Sequence, residues 1–245
     1  YGAMVMQSVI EEKSSRVLEV VVSSVRPFEL MMGKIFGVAS VAVVQVLIWA
    51  VLVCGAGAAV MPHVLPDGAM EAAAALQQGG GAATAAAGDF DPETLGAIAL
   101  ATDVGYLAML FGYLLLFVVG GYLLYSAMFA AVGSAVDNAQ DAAQLQTPIM
   151  IPIILAVIVE MSVLNDPNSP LAFWFSLIPF TSPVVMMARI PYGIPTWEIV
   201  LSLVLLYAAF VGMVWLSAKI YRVGIFMYGK KPTLREMFRW IRYKY

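Results

Sequence analysis

Four stretches of this 245-residue chain carry no charged side chain: 35–60, 104–136, 142–159 and 199–218. A helix crossing a hydrocarbon core of about 30 Å needs roughly 20 consecutive, mostly apolar residues. The pattern therefore predicts an all-α, polytopic membrane protein with four full spans, at about 35–60, 104–130, 144–164 and 198–220. The second stretch is longer than a bilayer requires, so its end projects into water or the helix tilts. Pro148 and Pro152 fall inside the third, where neighbouring helices can re-satisfy the carbonyls that proline frees. A fifth uncharged stretch, 171–188, is interrupted by Pro179 and Pro183 and carries Ser176, Thr181 and Ser182.

Charge decides how that fifth stretch is read. Of the thirteen Lys and Arg residues, twelve lie at two places: Lys13, Arg16, Arg26 and Lys34, and then from Lys219 to Lys244. Arg189 is the only cation between them. Basic flanks remain on the cytoplasmic side of a membrane. Five spans would put the two basic ends on opposite sides, whereas four put both in the cytoplasm. The segment 171–190 is therefore expected to be a re-entrant or interfacial hairpin on the outer side. The loop 61–103, with Asp67, Glu71, Asp89, Asp91, Glu93 and Asp103, faces out as well. Within it, 69–88 is rich in Ala and Gly and predicts a short helix, then a flexible linker through Gly79, Gly80 and Gly81. Asp91-Pro92 reads as an N-cap and first helical residue. Composition agrees with this class: 62% of residues are hydrophobic and 12% charged, against about 25% charged in soluble domains.

The expected organisation has three parts. Residues 1–34 hold the end of a span and a cytoplasmic loop, 35–221 form the transmembrane domain, and 222–245 form a basic cytoplasmic tail. Because the chain opens on Tyr1 inside an apolar run, it reads as a fragment whose N-terminal part lies upstream. In the first part, Ile10, Val17, Leu18, Val21 and Val25 recur at helical spacing, with Glu12, Ser15, Arg16, Glu19 and Ser23 on another face. Glu12 and Arg16, four apart, are placed to pair, and Pro27 ends the helix. An amphipathic cytoplasmic helix over 9–25 follows. A polar face of mixed sign suits a protein partner better than anionic lipid, which rewards Lys and Arg.

Little catalytic chemistry is on offer. Cys54 and His63 are each the only residue of their kind, so neither an internal disulfide nor a multi-histidine metal site can form. Neither an H-E-x-x-H helix nor a G-x-S-x-G elbow occurs, which disfavours an intramembrane enzyme. A G-x-x-x-x-G-K-[ST] phosphate loop is also missing, so any ATP is hydrolysed on another chain. Glu160, in IVEMSV, is the one acid well inside an apolar run and is a candidate for an ion path. It equally suits water at the end of its span. Gln45, the strongly polar residue of the first span, either lines such a path or packs between helices. Gly33 with Gly37, and Gly120 with Gly121, are candidate small-residue helix contacts. The basic and aromatic tail around Trp240 suits the anionic leaflet or a protein, and nucleic acid is not an expected partner.

Three segments carry a resemblance. VIEEKSSRVLEVVVSSVRPFELMMGKIFG resembles the cytoplasmic loop of type-2 ABC exporter permeases, in the branch that includes sodium-efflux permeases. IPFTSPVVMMARI is similar to that family's outer re-entrant segment, and MYGKKPTLREMFRWIRYK to its cytoplasmic tail. The resemblance implies six spans in a complete permease, with a large external domain after the first; this chain would lack that first span and domain. It implies a permease subunit of an ATP-driven exporter in the plasma (inner) membrane, paired with a second permease copy and with ABC ATPase subunits. No cofactor is implied on this chain, because ATP and Mg belong to the partner ATPase. The loop helix becomes a coupling helix, with Glu11, Glu12, Lys13, Arg16 and Glu19 facing the ATPase. The residues by themselves leave two other readings open: a self-contained ion channel or ion-coupled transporter with Glu160 as ion ligand, and a membrane scaffold without transport.

Overall fold

The computed structural model describes residues 2–14, 26–65, 68–77, 91–136 and 138–224. Every regular element among them is helical. In chain order these are α1 (Gly2–Ser14), α2 (Pro27–Val64), α3 (Ala69–Gln77), α4 (Pro92–Thr102), α5 (Val104–Ala135), α6 (Ala139–Val163), α7 (Pro170–Leu177), α8 (Ser182–Arg189) and α9 (Thr196–Gly224), with a 3-10 turn at Ile190–Tyr192. Four helices are long and apolar enough to cross a membrane, over Pro27–Met61, Val104–Ala135, Gln140–Val163 and Thr196–Arg222. The protein is a polytopic all-α membrane protein.

Helix ends differ from the expected ones for local reasons. Pro27 starts α2 rather than merely closing the helix before it, since proline is favoured in a first turn, where its missing N–H has no helical acceptor to lose. The third span, expected from about 144, begins several residues earlier, at Ala139. Asn138 caps that helix by accepting from the Asp141 N–H at 2.9 Å, a bond worth about 1 kcal/mol. Proline follows a capping residue at α7 too, where Ser169 accepts from the Ala172 N–H at 3.2 Å. Asp91 and Pro92 start α4 as expected, but the Asp91 carboxylate accepts from the Thr94 hydroxyl rather than from the backbone. Pro148 and Pro152 are accommodated inside α6.

The expected helix over 9–25 is corrected at its start. Nothing in 2–14 breaks a helix, so α1 runs through Val9 without interruption from Gly2. Arg16, Glu19, the glycines 79–81 and the tail from Ile225 lie outside the described residues.

The chain divides into two compact units, one of them Val44–Leu115 and the other formed by the segments on either side. In the first, α3 packs on α4 through Ala69, Ala73 and Ile98, with Leu65 and Ala99 at the margin. Alanines at this seam let two short helices approach closely.

In the second unit, helices also meet through small residues. A Cβ on Gly121 would lie 2.8 Å from Pro183 Cγ, and one on Gly120 would lie 2.7 Å from Leu206 Cδ2. These glycines let α5 touch α8 and α9, as membrane helices do when apolar burial alone gives no drive to associate. Among the described residues, nothing lies within 4 Å of a Cβ placed on Gly33 or Gly37. Ala156, Val159 and Val163 of α6 close on Ala172 of α7 and Val185 of α8. Outward-facing Val204, Val211 and Trp215 of α9, and Ile151, Ile154 and Ile158 of α6, stay exposed, as lipid-facing positions of a span should.

Candidate functional site

Two polar centres stand out against this apolar background. The first surrounds α1. Met6 and Ile10 are buried with Phe129, Val132 and Val136 at the end of α5 and with Ala142 and Ile149 of α6. The crossing is very close: a Cβ on Gly133 would lie 2.7 Å from the Met6 carbonyl oxygen and 3.2 Å from its Cα. Only glycine lets the two backbones come so near. About two turns later, Lys13 is 2% exposed, and its ammonium lies 3.4 Å from the carbonyl oxygens of Ser134 and of Val136. Those carbonyls end α5, where the last four acceptors of a helix have no intrahelical donor and carry the negative end of its dipole. A cation there is stabilising by about 0.3–1 kcal/mol on a surface and up to about 2 kcal/mol when partly buried.

The expected coupling residues thus separate. Glu11 is exposed, while Glu12 is partly buried and forms an ion pair with Lys34 of α2. Lys34 also donates to the Ser8 hydroxyl, at 3.4 Å. The expected partner of Glu12, Arg16, lies outside the described residues; Lys34 reaches Glu12 because the start of α2 runs beside α1. Lys13 does not share the outward face expected of it. Its side chain follows Val9 and Ile10 inward, and its ammonium donates to helix-end carbonyls.

The second centre was not anticipated. Arg189 was read only as the isolated cation of the chain's middle, yet it is 2% exposed. It ties three parts of the chain together. Its Nε donates to the Pro167 carbonyl at 2.9 Å and its Nη1 to the Ser176 hydroxyl at 2.6 Å. Nη1 also lies 2.8 Å from Oε2 of Glu198, in the first turn of α9. That pair is one of charge proximity, since Oε2 receives no aligned hydrogen bond. The Phe173 ring is 6.0 Å from the guanidinium carbon, at the outer limit of a cation–π contact. Ser202 of α9 donates to the Ser176 carbonyl at 2.7 Å, and Tyr125 of α5 to the Phe180 carbonyl at 2.6 Å. The hairpin of α7 and α8 is thereby held to α9, to α5 and to the turn that follows α6. The available signal was a lone Arg nine residues before a lone Glu, both bordering uncharged runs; buried charges need partners.

The two candidates for an ion path lie in different units. Glu160 is partly buried three residues before the end of α6, and its backbone carbonyl accepts from the Leu164 N–H at 3.3 Å. Gln45 is exposed on α2 and belongs to the other unit. Among the described residues, no group of three or more His, Cys, Asp or Glu could hold a metal ion.

Four membrane-length helices, a tight hairpin before the last of them and a charged helix packed at a helix end define a membrane-embedded helical domain. The model of the ABC-2 family transporter protein family matches residues 1–219, and the chain belongs to that family. It is 27% identical over 238 residues to the uncharacterized protein YhaP of Bacillus subtilis (strain 168), covering 97% of this chain and 50% of that protein. It is likewise 27% identical over 240 residues to the uncharacterized protein MJ1024 of Methanocaldococcus jannaschii, covering 97% of this chain and 49% of the other. The chain thus spans about half the length of these relatives. No solved structure matches it.

Proposed function

We propose that the chain is the membrane-spanning part of an ABC exporter permease that moves its substrate with ATP hydrolysed on a separate ATPase subunit. The observation that carries this reading is the family match over residues 1–219, which takes in α1, the first three membrane-length helices, the hairpin and most of α9. An ATPase closing on ATP can work on such a protein only through a rigid element joined to the spans. Helix α1 is that element: it is anchored on α5 and α6 by Met6 and Ile10, and it presents Glu11 outward. The ATPase contact consists of Glu11 and Glu12 with Arg16 and Glu19 further along, on the cytoplasmic side together with the basic tail. The hairpin of α7 and α8 then lies on the opposite side. A second permease copy completes the transporter, in the plasma membrane. Resemblance to sodium-efflux permeases makes sodium the first substrate to test.

The test is co-purification and transport. The full-length tagged protein, coexpressed with the ABC ATPases of its own genome, should retain one of them in detergent. In inverted vesicles it should accumulate sodium only when ATP is supplied. Glu11→Lys combined with Arg16→Glu should cut ATPase retention at least tenfold while leaving the permease in the membrane. Failure of the unaltered protein to retain any ATPase, with transport indifferent to ATP, refutes the assignment.

A further inference from the structure

We propose that Lys13 and Gly133 form a rigid joint through which motion of the ATPase-facing segment enters α5, and that Lys13 is a positioning residue and not an ATPase contact. This inference rests on the exporter reading above and specifies how its stroke is passed on.

Three observations carry it. First, Lys13 points inward: it is buried, and its ammonium sits 3.4 Å from each of two carbonyls at the end of α5. A surface contact needs an accessible charge, and this charge is already committed to the end of a helix dipole. Second, the crossing at Met6 leaves no slack. Placing a Cβ on Gly133 brings it within 2.7 Å of the Met6 carbonyl oxygen and 3.2 Å of its Cα. Those are backbone atoms, which cannot rotate aside as a side-chain end can. Third, the two fixed points lie about two helical turns apart on α1, and Ile10 is buried between them against α5 and α6. A helix pinned at two points to a second helix cannot pivot on it, so a displacement of α1 carries the end of α5 along. The covalent connection from α1 runs instead to α2, through residues 15–25. The ion pair of Glu12 with Lys34 ties the start of α2 to the same joint. A stroke delivered beyond Ser14 therefore reaches α2 through the chain and α5 through the joint together.

The experiment separates binding from transmission in the full-length protein with its ATPase. Two quantities are measured: the ATPase retained on the purified permease, and the factor by which the permease in liposomes changes the rate of ATP hydrolysis over the ATPase alone. Lys13→Met should retain the ATPase within twofold of the parent and lose at least tenfold of that rate effect. Lys13→Arg, which keeps a cation at the helix end, should recover most of it. Gly133→Ala, which pushes α1 off α5 without touching the charged face, should repeat the split and serves in place of Lys13→Met should that variant not accumulate. A fall in ATPase retention with Lys13→Met comparable to that of Glu11→Lys with Arg16→Glu makes Lys13 a docking residue and overturns the joint. Unchanged hydrolysis in both Lys13→Met and Gly133→Ala also overturns it. Absence of ATPase from the parent refutes the partnership itself, a result visible before any variant is made.

Discussion

Replacing Arg189 by Met should unfasten the hairpin from the last span. The guanidinium is lost while a side chain of similar length is kept, so three acceptors change state together: the Pro167 carbonyl, the Ser176 hydroxyl and the Glu198 carboxylate. The carboxylate dominates, because Glu198 is only 7% exposed and would be left without its counter-charge. Removing one partner of a buried ion pair costs about 3–5 kcal/mol. The two lost neutral bonds, each worth about 0.5–1.5 kcal/mol, overlap with that figure and do not simply add to it. Since about 1.4 kcal/mol is a factor of ten, the fastened state should lose roughly a hundredfold to several thousandfold in population ratio. In a domain of this size each kcal/mol moves the melting temperature by about 2–4 °C, which gives a fall of about 6–20 °C. Thermal unfolding in detergent, followed by fluorescence-detected size exclusion, reads it directly. The double variant Arg189→Met with Glu198→Leu removes both charges and should recover much of the loss, because replacing a whole buried pair by apolar groups is often neutral or stabilising. An Arg189→Met protein melting within about 2 °C of the parent would refute the reasoning, and so would a double variant no more stable than the single one.

Gly121→Ala should lower the melting temperature, by a cost of about 1–3 kcal/mol, since its Cβ would press on the rigid Pro183 ring. Gly33→Ala, with open space around it, should be neutral or stabilising by up to about 1 kcal/mol in the same assay. For topology, in a Cys54→Ala background, single cysteines at Ser14 and Thr233 should resist an impermeant thiol reagent in intact cells while one at Gly80 reacts; labelling at Thr233 without permeabilisation contradicts the four-span arrangement. On the proposed exporter reading, Glu160→Gln should leave ATP-dependent transport in vesicles unchanged, as expected of a side chain near the end of α6. A clear loss of transport at normal abundance places Glu160 on an ion path.

The apolar pattern made the spans legible because their signal is thermodynamic: a run of some twenty uncharged residues has few other places to be stable. The placing of the basic residues likewise separated 171–188 from a fifth span, and among the described residues four helices are of membrane length. Partnerships between segments distant in sequence were not legible. Lys13 reads as one charge among several on a helix face; only the end of α5, more than a hundred residues on, reveals that it turns inward. Arg189 and Glu198 read as loop charges until the hairpin folds back and encloses them. Helix starts were off by several residues at α2 and α6, where Pro27 and Asn138 initiate helices at places that look like connections.

The Arg189 cluster also bears on how the protein is made. A lone guanidinium is expensive within or beside hydrocarbon, and its carboxylate partner lies nine residues nearer the C-terminus, in the opening turn of α9. While the chain is growing, the hairpin leaves the ribosome before the residue that neutralises it. Until Glu198 is added, the guanidinium lacks its carboxylate. A chain truncated before Glu198 would therefore keep Arg189 without its counter-charge and lack the ties to α9 that Glu198 and Ser202 make.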